Sequence, residues 1–355
     1  MSTASAVDEV LIRREGRAGR ITLNRPQALN ALTLGMVRSM IAALQSWQAD
    51  PAIELVLIDG AGERGLCAGG DVRWLYDNGL DAARTFWREE YRLNALIGRY
   101  AKPIIAIQDG IVMGGGIGVS GHARHRIVTE RSQLAMPETL LGLVPDVGGT
   151  WLLSRSPGAT GLYLGLIGAR MNFVDAVYAG FADTYVRSEN LAGFCEQLCN
   201  GMGEPVWRSI ESWQDTVVGA SELQAHAVEI EACFAQPSLE AVRGALAARS
   251  DPWATKTLAE FAKRSPRALA ATFEAVQAAR ALSSLEAALE IEYRLVSRLY
   301  EDGEFIEGVR AAIVDKDRKP KWRPASLAEV TPEAVSALFA PFAEGEELGL
   351  AAIVR

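Results

Sequence analysis

Strand-like patterns are confined to the first half of this 355-residue chain, and this asymmetry most limits the folds open to it. Short apolar or alternating stretches predict strands at residues 18–25, 54–58, 103–107, 111–113, 126–128 and 134–135. Helical spacing of apolar residues predicts helices at residues 30–47, 81–100, 158–168, 173–181, 191–202, 222–234, 238–248, 253–263, 266–283 and 285–301. Because no Pro/Gly/Ser-rich linker interrupts the chain, we expect an α/β core over residues 1–190 and a mostly helical region, 191–355, packed on it.

Charge and composition exclude several classes of protein. The net charge is −8 and no dense basic block is present, so a nucleic-acid partner is not expected. The least polar stretch, Gly110 to Gly121, is far shorter than the roughly 20 residues of a membrane-spanning helix. Residues 1–17 lack the apolar core of a signal peptide, and the four cysteines form no disulfide framework. These features predict a cytoplasmic protein without a membrane partner.

Two glycine-rich clusters each follow a strand and precede a helical pattern. One is Cys67-Ala68-Gly69-Gly70-Asp71 and the other is Met113-Gly114-Gly115-Gly116-Ile117-Gly118. Backbone N–H groups from two such turns can form an oxyanion hole, in which one donor typically contributes about 3 kcal/mol. Ordinary tight turns are the alternative. A dinucleotide site is disfavoured because the Gly-x-Gly-x-x-Gly spacing is missing.

A third cluster, residues 136–149, places Glu138 and Asp146 eight residues apart in an otherwise apolar segment with Pro and Gly. A carboxylate in apolar surroundings is unfavourable unless it is paired, exposed or functional. The segment alone leaves exposure and function as equal alternatives.

Together these motifs resemble those of the crotonase (enoyl-CoA hydratase/isomerase) superfamily. The resemblance rests on Leu23-Asn24-Arg25-Pro26-x-Ala28-Leu29-Asn30-Ala31-Leu32, Ala68-Gly69-Gly70-Asp71, Gly114-Gly115-Gly116, Pro137-Glu138 and Gly148-Gly149-Thr150, in that order. It implies a spiral of ββα units with a helical C-terminal region. It also implies an acyl-CoA substrate whose thioester oxygen lies between the N–H groups of Gly70 and Gly115. Ala68, Asp71 and Gly114 would be further substrate-binding residues.

Hydratases of this family use two glutamates, and only one is present. The first position corresponds to Gly118 and the second to Glu138. The chain instead resembles the 3-hydroxyisobutyryl-CoA hydrolase branch, in motifs that extend over nearly its whole length: residues 88–94, 136–139, 142–149, 307–311, 315–317 and 320–324. This resemblance implies that Glu138 and Asp146 are catalytic, that Glu90 contacts the substrate, and that the context is valine breakdown.

Thioester chemistry agrees with this set of residues. The leaving thiolate has a pKa of about 8.5 and departs without a strong general acid. Hydrolysis therefore needs an oxyanion hole and a carboxylate that acts as nucleophile or base. Glu138 would either attack the carbonyl carbon or activate a water, and Asp146 would orient that water or bind the 3-hydroxyl group. No metal and no cofactor are expected, since CoA is part of the substrate.

Other functions stay open on the sequence alone. An enoyl-CoA hydratase or isomerase is the enzymatic alternative, and a non-catalytic subunit that binds CoA esters is the alternative from another class. A homo-oligomer is possible. The basic stretch Lys316 to Arg323 either contacts the CoA phosphates or is a solvated segment.

Overall fold

A six-stranded sheet forms the centre of the computed structural model, which describes residues 8–201, 203–343 and 345–350. The strand order is β1-β2-β3-β4-β6-β8; β1 pairs antiparallel with β2, and the remaining neighbours are parallel. Strands β5 and β7 form a separate parallel pair. The strands in the described residues are β1 (Val10–Glu15), β2 (Ala18–Leu23), β3 (Leu55–Gly60), β4 (Ile104–Gln108), β5 (Ile111–Met113), β6 (His125–Val128), β7 (Gln133–Ala135) and β8 (Thr184–Tyr185).

Helices connect and cover these strands, and they make up nearly all regular structure after β8. Those of the described residues are α1 (Leu34–Gln48), α2 (Val72–Gly98), α3 (Gly115–Ser120), α4 (Gly149–Leu153), α5 (Thr160–Ile167), α6 (Phe173–Tyr178), α7 (Leu191–Asn200), α8 (Val206–Trp213), α9 (Glu222–Ala225), α10 (Ala227–Phe234), α11 (Leu239–Ala247), α12 (Pro252–Phe261), α13 (Pro266–Ala279), α14 (Leu285–Glu301), α15 (Glu304–Val309) and α16 (Pro332–Phe339).

Both faces of the large sheet are buried at strands β2, β3 and β4, as is usual for parallel strands, whereas the edge strand β1 is partly exposed. Alternate residues of β3 illustrate this arrangement: Val56 and Ile58 belong to the main core, whereas Leu55 and Leu57 belong to a second cluster with α7 and α8. The α/β prediction is therefore confirmed, and the sheet is fixed in position by layers on two sides.

Several predicted boundaries are wrong, for local reasons. Gly79, with φ of 81°, divides α2 into two helical segments, and the predicted helix 81–100 corresponds to the second of them. The first segment, which begins at Val72 and is capped by Asp71, was not predicted. The predicted helix over residues 222–234 is divided at His226. Strand β1 was not predicted, and the last residue of the predicted helix 191–202 lies outside the described residues.

The glycine-rich turns are brought together by backbone pairing. Leu32 pairs with Gly70, and Cys67 pairs with Val112 of β5, so the turn after β3 runs beside the turn after β5. Strand β7 lies next to β5 and leads into the segment that begins at Met136. The three sequence clusters therefore meet at one place.

Candidate active site

A small cavity of about 80 Å³ lies where these three clusters meet. A water molecule occupies about 30 Å³ in the liquid, so the cavity has room for a group of only a few heavy atoms. Three carboxyl groups reach its wall, and no basic side chain is among the described residues that line it. The lining consists of Ala68, Gly69, Gly70, Val72, Leu75, Phe86, Trp87, Glu90, Met113, Gly114, Gly115, Pro137, Glu138, Leu141, Leu143, Asp146, Val147 and Phe305.

The backbones of the two glycine turns are in contact at this cavity. A Cβ atom added to Gly115 would lie 3.2 Å from the Gly70 nitrogen. The flanking N–H groups are occupied, since Asp71 donates to Leu32 and Gly114 donates to Ala135. Among the described residues, no backbone carbonyl accepts the N–H of Gly70 or of Gly115. The two turns thus leave two neighbouring donors beside one cavity, as an oxyanion hole requires.

Glu138 is held next to these donors by a tight turn. It begins the short helical turn Glu138–Leu141, which ends at Gly142 with φ of 73°. Its side chain is 6% exposed, and its Oε1 lies 2.9 Å from the position that a Cβ on Gly114 would take. Its Oε2 is buried and has no hydrogen-bond partner in the described structure. This oxygen is therefore available to a water or to a substrate.

The other two carboxyl groups come from α2 and from the loop before α4. Glu90 is 2% exposed, and its Oε1 has no partner among the described residues. That oxygen lies 2.6 Å from the position of a Cβ on Gly115. Asp146 is 7% exposed, and its Oδ2 accepts a hydrogen bond of 2.6 Å from the Tyr91 hydroxyl. The hydroxyl orients Asp146, whereas Glu90 keeps a free oxygen near the oxyanion hole.

Burial raises the pKa of all three carboxyl groups. The negative charge of Asp146 adds to this effect, so the pKa values of Glu90 and Glu138 lie well above the ordinary value. Burial raises the pKa of Asp146 from 3.8 to about 6, although the hydrogen bond from Tyr91 lowers it. Because like charges at close range oppose one another's ionisation, the cluster binds protons at a higher pH than isolated carboxyl groups do.

Most of the predicted site residues line the cavity, and the side chain of Asp71 does not. Ala68, Gly70, Gly114, Gly115, Glu90, Glu138 and Asp146 line the cavity. The Asp71 carboxylate is instead the cap of α2, where it accepts a hydrogen bond from the Trp74 nitrogen. It also pairs with Arg25 at 3.2 Å. Its location shows a local structural contact, and its expected role in substrate binding stays a prediction.

The position of the missing hydratase glutamate is filled. A Cβ atom on Gly118 would lie 2.8 Å from Nδ2 of Asn94 and 2.8 Å from Cβ of Val147. Both neighbours are fully buried. Helix α3 therefore packs so closely against Asn94 of α2 and Val147 of the turn before α4 that a longer side chain at this position requires these groups to move.

Several residues that shape the site are not identified as such by the sequence motifs. Tyr91 orients Asp146, and its signal was its place in the motif that also contains Glu90. Trp87 and Phe305 meet edge to face at a ring distance of 6.3 Å and close one side of the cavity. Phe305 lies more than 150 residues after the other lining residues, and no local sequence pattern predicts its contact with them.

Two other residues near the glycine turns have little chemical reactivity. Cys67 is fully buried, and burial raises the pKa of its thiol to about 12. His122 binds the Val147 carbonyl oxygen through Nε2 at 2.7 Å, and burial lowers the pKa of this histidine to about 4. Cys67 therefore stays a thiol at neutral pH, and neither Cys67 nor His122 lines the cavity.

The described parts of the chain contain no group of three or more His, Cys, Asp or Glu side chains that could hold a metal ion. Within the same residues, no helix has the length and apolar character needed to cross a membrane. The five basic residues of the stretch from Lys316 to Arg323 are exposed, so both interpretations of that stretch stay open.

Comparison with known proteins gives consistent family matches. The family model described as enoyl-CoA hydratase/isomerase matches residues 18–339. The 3-hydroxyisobutyryl-CoA hydrolase of Danio rerio is 39% identical, over 97% of this chain and 92% of its own length. The corresponding Homo sapiens protein is 39% identical, over 92% of this chain and 87% of its own length.

Two similar solved structures are named as a dehydratase and a hydratase, and not as hydrolases. A crystal structure described as a carnitinyl-CoA dehydratase from Mycobacterium thermoresistibile is 44% identical, with a TM-score of 0.91 over 97% of this chain and 99% of that one. One described as an enoyl-CoA hydratase from Rhodobacter sphaeroides is also 44% identical, with a TM-score of 0.90 over 96% of this chain and 99% of that one. These matches confirm the expected crotonase-like fold.

The expectation of a cytoplasmic location is wrong on this comparison. The hydrolases of Danio rerio and Homo sapiens are both named as mitochondrial proteins. Cysteine content separates reducing from oxidising compartments, and it does not distinguish one reducing compartment from another.

Proposed function

This chain belongs to the enoyl-CoA hydratase/isomerase family, and we propose that it hydrolyses 3-hydroxyisobutyryl-CoA to the free acid and CoA. The chain is an acyl-CoA thioester hydrolase that acts in valine breakdown. Two curated relatives that match over more than nine-tenths of this chain carry this activity in their names.

The observation that carries the proposal is the placement of Glu138 beside two free backbone donors. In the proposed reaction the thioester oxygen lies between the N–H groups of Gly70 and Gly115. These donors stabilise the negative charge that develops on the oxygen when the carbonyl carbon is attacked. The cavity of about 80 Å³ suits a short acyl group.

Glu138 acts on the carbonyl carbon in one of two ways. Its carboxylate attacks the carbon and expels CoA as a thiolate, which leaves a mixed anhydride that water then cleaves. Alternatively, Glu138 takes a proton from a water molecule that attacks the same carbon. A raised pKa makes the Glu138 carboxylate a stronger base once it is ionised, and both routes use the ionised form.

Asp146 and Glu90 bind and orient the substrate and the attacking water. Asp146, oriented by Tyr91, holds the attacking water or the 3-hydroxyl group. The free oxygen of Glu90 faces the hydroxyacyl group. This chemistry needs no resident cofactor, because CoA enters and leaves as part of the substrate.

A hydratase is the second candidate, favoured by the names of the two solved structures that are 44% identical. Addition of water across a C=C bond uses paired acid and base groups, and the family's first glutamate position is occupied here by Gly118. The packing of Asn94 and Val147 against this glycine argues for the hydrolase.

Product analysis separates the candidates. The purified protein is incubated with 3-hydroxyisobutyryl-CoA and, in parallel, with crotonyl-CoA. We expect free thiol and free acid in equal amounts from the first compound and no hydration of the second. Hydration of crotonyl-CoA with CoA still attached would contradict the hydrolase. Binding of both esters without reaction would indicate the non-catalytic alternative.

A further inference from the structure

A buried glutamate outside the cavity holds the turn that follows Asp146. Glu292 lies on α14 and is 0% exposed. Its Oε2 accepts a hydrogen bond of 2.7 Å from the Gly148 nitrogen, and its Oε1 accepts one of 2.9 Å from the Thr150 nitrogen. The Thr150 hydroxyl also donates to Oε1. One carboxyl group thus anchors two backbone positions within four residues of Asp146.

This arrangement is energetically costly, and burial in the helix interface alone does not explain it. The other residues at this helical spacing on α14 are apolar: Leu285, Leu289, Val296 and Leu299. Burial of a carboxylate without a cation is unfavourable by several kcal/mol unless hydrogen bonds offset it. Within the described chain Glu292 forms no ion pair, and its hydrogen bonds are to Gly148 and Thr150, so the backbone turn is what it stabilises.

The turn itself needs external support. Val147 has a φ of 55° and Gly148 has a φ of 80°. Left-handed backbone at a β-branched residue such as Val147 is strained and persists only where the surroundings enforce it. His122 binds the Val147 carbonyl from one side, and Glu292 accepts from Gly148 on the other. Asp146 therefore projects into the cavity from a turn that is held by hydrogen bonds to both His122 and Glu292.

We propose that Glu292 is a positioning residue. By accepting hydrogen bonds from the backbone of Gly148 and Thr150, it holds the Asp146 carboxylate at the cavity. The inference rests on the proposed hydrolase function. Glu292 itself does not line the cavity, so it does not touch the reacting group.

Asp175 provides a matched control. It is 3% exposed, and its carboxylate also accepts one hydroxyl, from Ser221, and two backbone N–H groups, from Leu223 and Asn172. It lies on α6 and does not line the cavity. Glu292→Gln and Asp175→Asn therefore place an amide into the same kind of buried donor set, and only the first lies next to Asp146.

The variants are compared by the kinetics of thiol release from 3-hydroxyisobutyryl-CoA and by thermal unfolding. We expect both to be less stable. Glu292→Gln should lower kcat by about 10- to 100-fold with little change in KM, since small misplacements of a catalytic group have effects of this size. Asp175→Asn should keep the kcat of the wild type. A Glu292→Gln variant with wild-type kcat would overturn the inference.

A double variant tests the route through Asp146. In an Asp146→Asn background, Glu292→Gln should lower kcat no further; independent, multiplying effects would overturn the inference. If Glu292→Gln does not fold, Thr150→Val removes one donor to Glu292 and should show the same non-additivity on a smaller scale. A wild-type protein that releases no thiol would instead refute the proposed function.

Discussion

Gly115 shows how little room the site leaves at a single residue. Its N–H is one of the two proposed oxyanion donors, and a Cβ atom at this position would lie close to both Oε1 of Glu90 and the Gly70 nitrogen. Any side chain at this position would push apart groups whose distance matters for catalysis. Glycine is therefore required at position 115 because the Glu90 carboxyl group and the Gly70 backbone leave no space for a side chain. The backbone conformation of Gly115 is not the reason.

Gly115→Ala should reduce thiol release by about 100-fold or more, the size of effect seen when an oxyanion donor is lost. The added Cβ would lie 2.6 Å from Oε1 of Glu90, so either the carboxyl group or the turn must move. Gly244→Ala on α11 is the control, because its Cβ meets no atom within 4 Å. Kinetics and thermal unfolding check both variants; a Gly115→Ala enzyme within a few-fold of wild type would contradict the assignment.

At the residue level, the sequence motifs predicted the carboxyl groups of the cavity but not the residues that hold the surrounding backbone in place. Glu90, Glu138 and Asp146 were named from their motifs, and the structure brings them to one cavity. The role of Asp71 as a helix cap was not foreseen, because a carboxylate in a glycine-rich turn looks the same in either role. The sequence does contain an indication that Glu292 is unusual, because it is a glutamate within the apolar stripe of α14.

At the element scale, the contact between α2 and α3 separates the two candidate reactions. Asn94 and Val147 occupy the space beside Gly118. A glutamate there would need backbone movement and would bury a charge. This packing thus disfavours a glutamate at position 118, where hydratases of the family have one of their two acid/base groups.

Gly118→Glu should therefore destabilise the protein by about 3 kcal/mol or more, the sum expected from overpacking and from a buried charge. It should give no hydration of crotonyl-CoA. Gly244→Glu, at an exposed position of α11, should leave stability nearly unchanged. Chemical unfolding and the crotonyl-CoA assay provide the measurement. A stable Gly118→Glu protein that hydrates crotonyl-CoA would show that this interpretation of the packing is wrong.

Element boundaries were predictable where the apolar periodicity is continuous. Helix α14 begins and ends at the predicted residues, since one apolar stripe runs through it. Helices α9 and α10 were predicted as one, because the break at His226 leaves the stripe intact. Strand β1 carries no clean alternation, and its pairing with β2 is what makes it a strand.

At the scale of the whole molecule, the site depends on segments far apart in the chain. The cavity wall extends from Ala68 to Phe305, and Glu292 supports it from α14. The order of motifs predicted which early segments meet. It did not predict that α14 and α15 complete the site, because that contact arises from tertiary packing. The division at residue 190 stays a prediction, as does the oligomeric state.

Buried carboxyl groups give the whole molecule a pH-dependent stability. Burial raises the pKa of Glu292 from 4.5 to about 8. A carboxyl group with a raised pKa binds its proton more tightly in the folded protein, so its contribution to stability is lost as the pH rises through the folded pKa. Between about pH 6.5 and about pH 8, wild type should lose about 2 kcal/mol relative to Glu292→Gln, at about 1.4 kcal/mol per pH unit.

This window lies above the titration of Asp146 and of His122, whose pKa values are about 6 and about 4. Burial also raises the pKa values of Glu90 and Glu138, and both residues are present in wild type and in Glu292→Gln, so only the difference between the two proteins is interpreted. Denaturant unfolding at several pH values measures the difference in unfolding free energy between the two proteins. A difference that does not vary with pH would show that Glu292 is ionised throughout this range.

Thiol release from 3-hydroxyisobutyryl-CoA by wild type and by Glu138→Gln tests the central claim most directly. The amide keeps the volume of the side chain, and it can neither attack the carbonyl carbon nor accept a proton from water. We predict that wild type releases thiol and acid in equal amounts and that the variant is about 10³-fold slower while it keeps its fold and binds the substrate. A folded Glu138→Gln protein that turns over at nearly the wild-type rate would contradict the account.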